Sequence, residues 1–213
     1  VEMRLRQDGR PLTLEPGALA SAIPDVRPRV LLLIHGSCMS DAAWARGGDR
    51  AAGLARDLGC TPVYVHYNTG LHVSMNGRGL AGMLEDLVRT WPVPLAALTV
   101  VAHSMGGLVA RSACHAAEAA GLAWRARLDA LVFLGTPHHG APLELGGHWL
   151  QAALGVSSYG APLARLGRLR SAGVTDVVSY WSEGNAPPLR SDDGERALVL
   201  ARIEGGDDAV DAR

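Results

Sequence analysis

Short apolar runs alternate along the chain with longer stretches in which apolar residues recur at helical spacing, an order that predicts repeated strand-helix units. Val30-Leu31-Leu32-Leu33-Ile34 is the clearest run and predicts a strand buried on both faces. Further strands are predicted over 62–66, 97–103 and 128–134, with helices near 48–58, 77–90 and 106–120. Trp91-Pro92 is expected to end the second of these helices and Gly121 the third. Residues 1–29 hold Pro, Gly and short apolar pieces and read as an edge hairpin, while Arg196–Ile203 reads as a last strand. Residues 147–171 carry Leu150, Ala153 and Leu154, then Leu163, Leu166 and Leu169, broken by Tyr159-Gly160-Ala161-Pro162. Periodicity leaves open whether this stretch, within an insertion over 147–195, is a lid or two ordinary packing helices. The expected fold class is α/β, a mostly parallel central sheet flanked by helices. With 213 residues, 48% of them apolar, the whole of 1–213 is expected to be one domain.

The run Val100-Val101-Ala102-His103 ends in Ser104-Met105-Gly106-Gly107 and passes directly into a helical stretch. A nucleophile elbow needs this order, because the strand-to-helix turn is too tight for bulk two residues before or after the serine. Ala102 and Gly106 occupy those two positions, a degenerate form of G-x-S-x-G that makes Ser104 the candidate nucleophile. A second signal lies upstream, where Val30–Ile34 runs into His35-Gly36-Ser37. A tetrahedral intermediate needs preset backbone N–H groups, one after the nucleophile and one from such an earlier loop. Met105 and Ser37 are the candidates for this oxyanion hole. The plain alternative for His35-Gly36 is a strand-ending turn in which glycine relieves φ strain.

These stretches resemble bacterial α/β-hydrolases of the lipase and esterase type, akin to the GPI inositol-deacylase-like group. The resemblance rests on His35-Gly36-Ser37-Cys38-Met39 with Trp44, on Tyr67-Asn68-Thr69-Gly70 with Asn76-Gly77-Arg78, on the Ser104 elbow, and on Leu134-Gly135-Thr136-Pro137-His138-His139-Gly140-Ala141-Pro142. It covers roughly residues 10–180. It implies that this last loop borders the active site and that carboxylic, lipid or acyl esters are hydrolysed through an acyl-enzyme. The alternatives are acyl transfer to an alcohol on the same fold, or a non-catalytic binding protein or fragment that kept the pocket. Trp44 and Met39 are candidates for an acyl pocket or for plain core.

A serine needs a histidine to take its proton and an acid to orient that histidine, in the order Ser, acid, His on this fold. The Glu204-Gly205-Gly206-Asp207-Asp208 loop after the last predicted strand supplies the candidate acid, Asp207, with Asp208 as the alternative; a solvated acidic tail is the plain reading. All eight histidines lie at or before His148, although the base belongs beyond the last strand. The expectation is therefore that a final strand and helix are missing and that the chain as given is close to inactive. His138 and His139 are the candidate substitutes, unless they only order their loop. His103 is expected to point elsewhere by strand alternation.

Charge adds exclusions. The net charge of −1, with all twenty basic residues arginine, gives no case for nucleic acid or an anionic membrane. Cys38, Cys60 and Cys114 form no metal-ligand spacing and read as buried free thiols, and the histidine pair lacks a third ligand, so no metal and no cofactor are expected. No apolar run approaches the ~20 residues of a membrane span. The N-terminus lacks the apolar stretch of a signal peptide, which favours the cytoplasm, with secretion left open because the chain starts on Val1.

Overall fold

The apolar runs form strands and the amphipathic stretches helices in a computed structural model that describes residues 1–45, 50–136 and the strand at 198–201. In chain order these are β1 (Arg4–Gln7), β2 (Arg10–Pro11), α1 (Pro16–Ala22), β3 (Arg29–Ile34), α2 (Arg50–Asp57), β4 (Thr61–His66), α3 (Val73–Thr90), β5 (Ala97–His103), α4 (Met105–Ala120), β6 (Leu128–Leu134) and β7 (Leu198–Ala201). Short 3₁₀ turns cover Asp41–Ala45 and Ala123–Arg127. The sheet order is β2-β1-β4-β3-β5-β6-β7. β1 is antiparallel to β2 and β4, and all neighbours from β4 to β7 are parallel. The molecule has the expected α/β-hydrolase architecture.

β3 is central, which is why Val30–Ile34 is apolar at every position: Leu32 and Ile34 face one layer, Leu31 and Leu33 the other. The larger layer joins the sheet to α1, α3 and α4 through Leu19, Leu80, Leu84, Leu108 and Trp124. The smaller one packs α2 through Ala51 and Ala55 against Leu31, Leu33 and Val101. From β3 the chain moves to β4 on one side and then, through α3, to β5 on the other. The strand order thus reverses beside β3, and in open α/β sheets ligands bind outside the carboxyl ends of the strands at such a reversal. His35-Gly36-Ser37 and Ser104 directly follow the carboxyl ends of β3 and β5.

The expected elements stand, with three differences. α1 arises within the segment read only as an edge hairpin, starting with Pro16 in its first turn and burying Leu19. α3 starts at Val73, four residues before the expected 77, because Asn76 and Gly77 lie inside it. Asn76 donates from Nδ2 to Asn68 O at 3.0 Å, tying the helix start to the preceding loop. Gly77 lets α3 approach α4: a Cβ there would meet Ser112 Oγ at 2.2 Å and the Ser112 backbone carbon at 2.9 Å. The third difference concerns the thiols, because Cys60 is buried and Cys114 half-buried as expected, but Cys38 is exposed on its loop. Burial raises the Cys60 thiol and pushes Cys114 up to about 11.

Helix ends follow the sequence signals. Trp91, extended before Pro92, ends α3 and donates from Nε1 to Arg27 O at 2.9 Å. Gly121 ends α4 in the left-handed region at φ 63°. The 147–171 stretch lies outside the described residues, as does half of the predicted 196–203 strand, of which 198–201 forms β7.

Two glycines of α3 give opposite expectations. Gly77→Ala should destabilise the fold by roughly 1–3 kcal/mol, as overpacking does. Gly82, with nothing within 4 Å of its added Cβ, should tolerate alanine and gain up to about 1 kcal/mol in helix propensity. Urea unfolding midpoints of the two variants check this, and equal shifts would contradict the close α3–α4 approach.

Candidate active site

Ser104 occupies the single residue between β5 and α4, with φ 54° and ψ −126°. A side chain rarely adopts this backbone, and surrounding structure must hold it there. Its amide donates to Leu134 O, at the end of β6, at 2.8 Å, and its carbonyl accepts from Gly107 N at 3.0 Å. The residue is 4% exposed. This is the sharp strand-turn-helix that the Val100–Gly107 sequence predicts.

The glycines around the turn are required by contact. A Cβ on Gly106 would lie 2.6 Å from His35 O and 2.9 Å from Ile34 O, so α4 begins against the end of β3 only because that position has no side chain. A Cβ on Gly36 would lie 2.9 Å from both Ser104 Cβ and His103 Nδ1. Gly107 leaves room for Thr136, whose Oγ1 would otherwise be 2.1 Å from the added carbon. The loop after β3, the elbow and the loop after β6 are thereby pressed together. Met105 is the first residue of α4 and fully buried, and the first N–H groups of a helix have no acceptor within it. Ser37 follows Gly36 and is half-buried.

His35 lies on the inner side of this contact, 1% exposed, with its ring stacked on Tyr67 at 4.4 Å between centroids. The Tyr67 hydroxyl donates to His35 O at 2.7 Å, and His35 Nδ1 lies 3.0 Å from Gly36 O. That contact fits an Nδ1–H tautomer, which leaves Nε2, buried and without a partner among the described residues, as an acceptor. Burial lowers the pKa of His35, opposed by the Gly36 carbonyl, and burial lowers that of His103 as well. Both rings are therefore held neutral. His103 ends β5 in register with Leu134, and its Nδ1 lies against Gly36.

A second polar cluster stands beside the loop. Asp41, 7% exposed, accepts from Arg6 Nη1 at 3.1 Å and lies 2.7 Å from His66 Nδ1. Nothing in the sequence spacing marks this cluster, because its members come from β1, the 3₁₀ turn and β4. β3 separates His66 from the Ser104 strand, so two strand spacings, about 10 Å, lie between them, too far for proton transfer from the serine. Of the residues singled out in the sequence, the structure brings together Ser104, Met105, Gly106, His35, Gly36 and Ser37. Asp207, Asp208, His138 and His139 lie outside the described residues, and no group of three or more metal-ligating side chains occurs among those that are described. No described helix is long and apolar enough to cross a membrane.

The neutral buried imidazoles have a stability consequence. Unfolding releases His35 and His103 to the ordinary value of 6.5, so below it the unfolded chain binds protons that the folded chain refuses. Their contribution is complete above that value and is lost as pH falls toward the depressed folded pKa values. Imidazole NMR should find both rings titrating below the ordinary value of 6.5. Midpoints at or above the ordinary value would contradict the burial argument.

The mature lipase BlEst2 of Bacillus licheniformis superposes with a TM-score of 0.53 at 20% identity, over 86% of this chain and 63% of the lipase. The type II thioesterase YbtT of the yersiniabactin biosynthetic pathway gives 0.52 at 19% identity, over 83% of this chain and 73% of its own. An esterase from Pyrobaculum calidifontis gives 0.50 at 18% identity, over 75% and 53%. The chain thus spans under two thirds of the Bacillus lipase, and at these identities the likeness is one of fold. No curated protein sequence matches it. Residues 8–179 match a domain of unknown function, DUF7379, and the chain belongs to that family, with its elbow and glycine loop set in an α/β-hydrolase fold.

Proposed function

We propose that the chain is a serine hydrolase of carboxylic esters, with Ser104 as nucleophile. The observation that carries this reading is the left-handed backbone of Ser104 between β5 and α4, pressed against Gly36 at the strand-order reversal. A residue held at φ 54° costs stability, on the order of 1–3 kcal/mol, and such strain concentrates where a side chain must be presented to a ligand.

The reaction follows from the parts. Ser104 Oγ attacks the ester carbonyl carbon and passes its proton to a base; the carbonyl oxygen takes up negative charge, and the N–H groups of Met105 and Ser37 receive it. The N-terminal end of α4 favours the same charge. Collapse expels the alcohol and leaves an acyl-serine, which water then resolves to acid and free serine. Within these 213 residues the reading takes His138 and His139 as candidates for the base and Asp207, or Asp208, for the acid that orients it. The neutral state of His35 and His103 suits this scheme, since neither adds a competing positive charge beside the nucleophile.

The solved lipase, esterase and thioesterase are named for cleaving oxygen and sulfur esters of acyl groups, which supports acyl esters as the substrate class. The finer grouping with GPI inositol-deacylase-like enzymes is carried by the Gly135-Thr136-Pro137-His138-His139 loop and the oxyanion loop sequence. It predicts a lipid-derived ester.

A fluorophosphonate probe and a series of p-nitrophenyl acyl esters test the reading. Ser104 should be labelled and Ser104→Ala should not; equal labelling of the variant would remove Ser104 from the mechanism. Ser37→Ala should lower kcat by less than about tenfold, whereas loss of a true oxyanion donor costs ~10²–10³. A larger loss would assign the Ser37 hydroxyl a direct part.

A further inference from the structure

We infer that Arg6, Asp41 and His66 form a clamp that fixes the far end of the oxyanion loop, making Asp41 a positioning residue for the reaction. The inference rests on the serine-hydrolase reading for its functional consequence, and on geometry alone for the clamp.

The loop leaves β3 at His35 and ends at Asp41, the first residue of the 3₁₀ turn. Between them, Cys38 has φ 56°, a conformation that a non-glycine residue keeps only under outside restraint. The loop supplies one backbone bond of its own at this end, Ala43 N to Ser40 O at 2.9 Å. The restraint comes instead from the end of β4, where two consecutive residues take the two ends of the loop. Successive residues of a strand point to opposite faces. Tyr67 holds the near end, through its hydroxyl to His35 O at 2.7 Å and its ring on the imidazole. His66 holds the far end, with Nδ1 2.7 Å from Asp41 Oδ1, and Arg6 on β1 adds the second bond to the same oxygen at 3.1 Å.

Asp41 is buried while its two partners are about a quarter exposed. A buried carboxylate needs such partners, and a charge-assisted bond at this length is stronger and more directional than a neutral one. The Arg6 head is fixed in turn by a bond to Gly9 O. The loop position is thus referred to the two strands β1 and β4, and through them to the sheet that also carries the elbow. A donor displaced by about 1 Å loses much of its effect on the transition state while leaving ground-state binding largely intact.

Two readouts on Asp41→Ala and Asp41→Asn in the full chain separate the clamp from the chemistry. Hydrogen exchange of the peptide spanning residues 35–41 should quicken in Asp41→Ala and stay near wild type in Asp41→Asn, whose amide oxygen still accepts from Arg6 and His66. Normalised to sites titrated with the phosphonate, kcat should fall about 10- to 100-fold in Asp41→Ala with KM changed by less than about threefold. Asp41→Asn should recover most of that loss. His66→Gln, which can still donate to Asp41, gives the same test from the partner side and should resemble Asp41→Asn. Unchanged exchange in Asp41→Ala overturns the clamp, and a kcat per titrated site equal to wild type overturns the positioning role of Asp41. Quickened exchange in Asp41→Ala upholds the clamp whatever the turnover of the wild type, whereas a Ser104 left unlabelled by the phosphonate overturns the hydrolase reading instead.

Discussion

The close approach of β3 and β5 at their carboxyl ends governs the rest of this molecule. Three glycines make it possible: Gly36 packs against the Ser104 Cβ and the His103 ring, Gly106 against the carbonyls of Ile34 and His35, and Gly107 against the Thr136 side chain. Only this approach lets α4 start one residue after the strand, and only that abrupt start forces Ser104 into the left-handed region. The Leu134 carbonyl then fixes the strained amide from the next strand. A folded sheet on both sides supplies the restraint, since the cost of the strained residue is small beside the burial of Val100, Ala102, Met105 and Leu108 around it.

Among the described residues, few charges sit close to the serine. His35 and His103 are neutral through burial, and the ionic pairs of Asp41 lie a strand further out. Such a setting strengthens any hydrogen bond offered to a developing oxyanion, because little water or counter-charge competes for it. The apolar layers serve the same end by leaving the carboxyl ends of the central strands, rather than the core, as the place where polar chemistry is concentrated.

Much of this was legible in the sequence because it depends on local rules. The all-apolar Val30–Ile34 run requires a central strand, and Ala102, Gly106 and Gly107 around Ser104 satisfy a steric condition that acts over a few residues. Asn76-Gly77 misled for a physical reason: the pair reads as a helix boundary, yet the glycine serves a helix crossing and the asparagine caps a loop from within α3. The Arg6–Asp41–His66 cluster left no trace in the sequence, since its partners are 35 and 25 positions apart and no short-range spacing links them. The acid and base expected from Asp207, Asp208, His138 and His139 depend on segments outside the described residues.

The central claim is geometric, that the elbow and the glycine loop together bind a tetrahedral oxyanion on Ser104. A crystal structure of the chain after reaction with an alkyl phosphonate tests it most directly. The account predicts phosphorus bonded to Ser104 Oγ, with one phosphoryl oxygen about 2.7–3.1 Å from the backbone nitrogens of both Ser37 and Met105. An adduct on another residue, or a phosphoryl oxygen turned away from those two N–H groups, would contradict it.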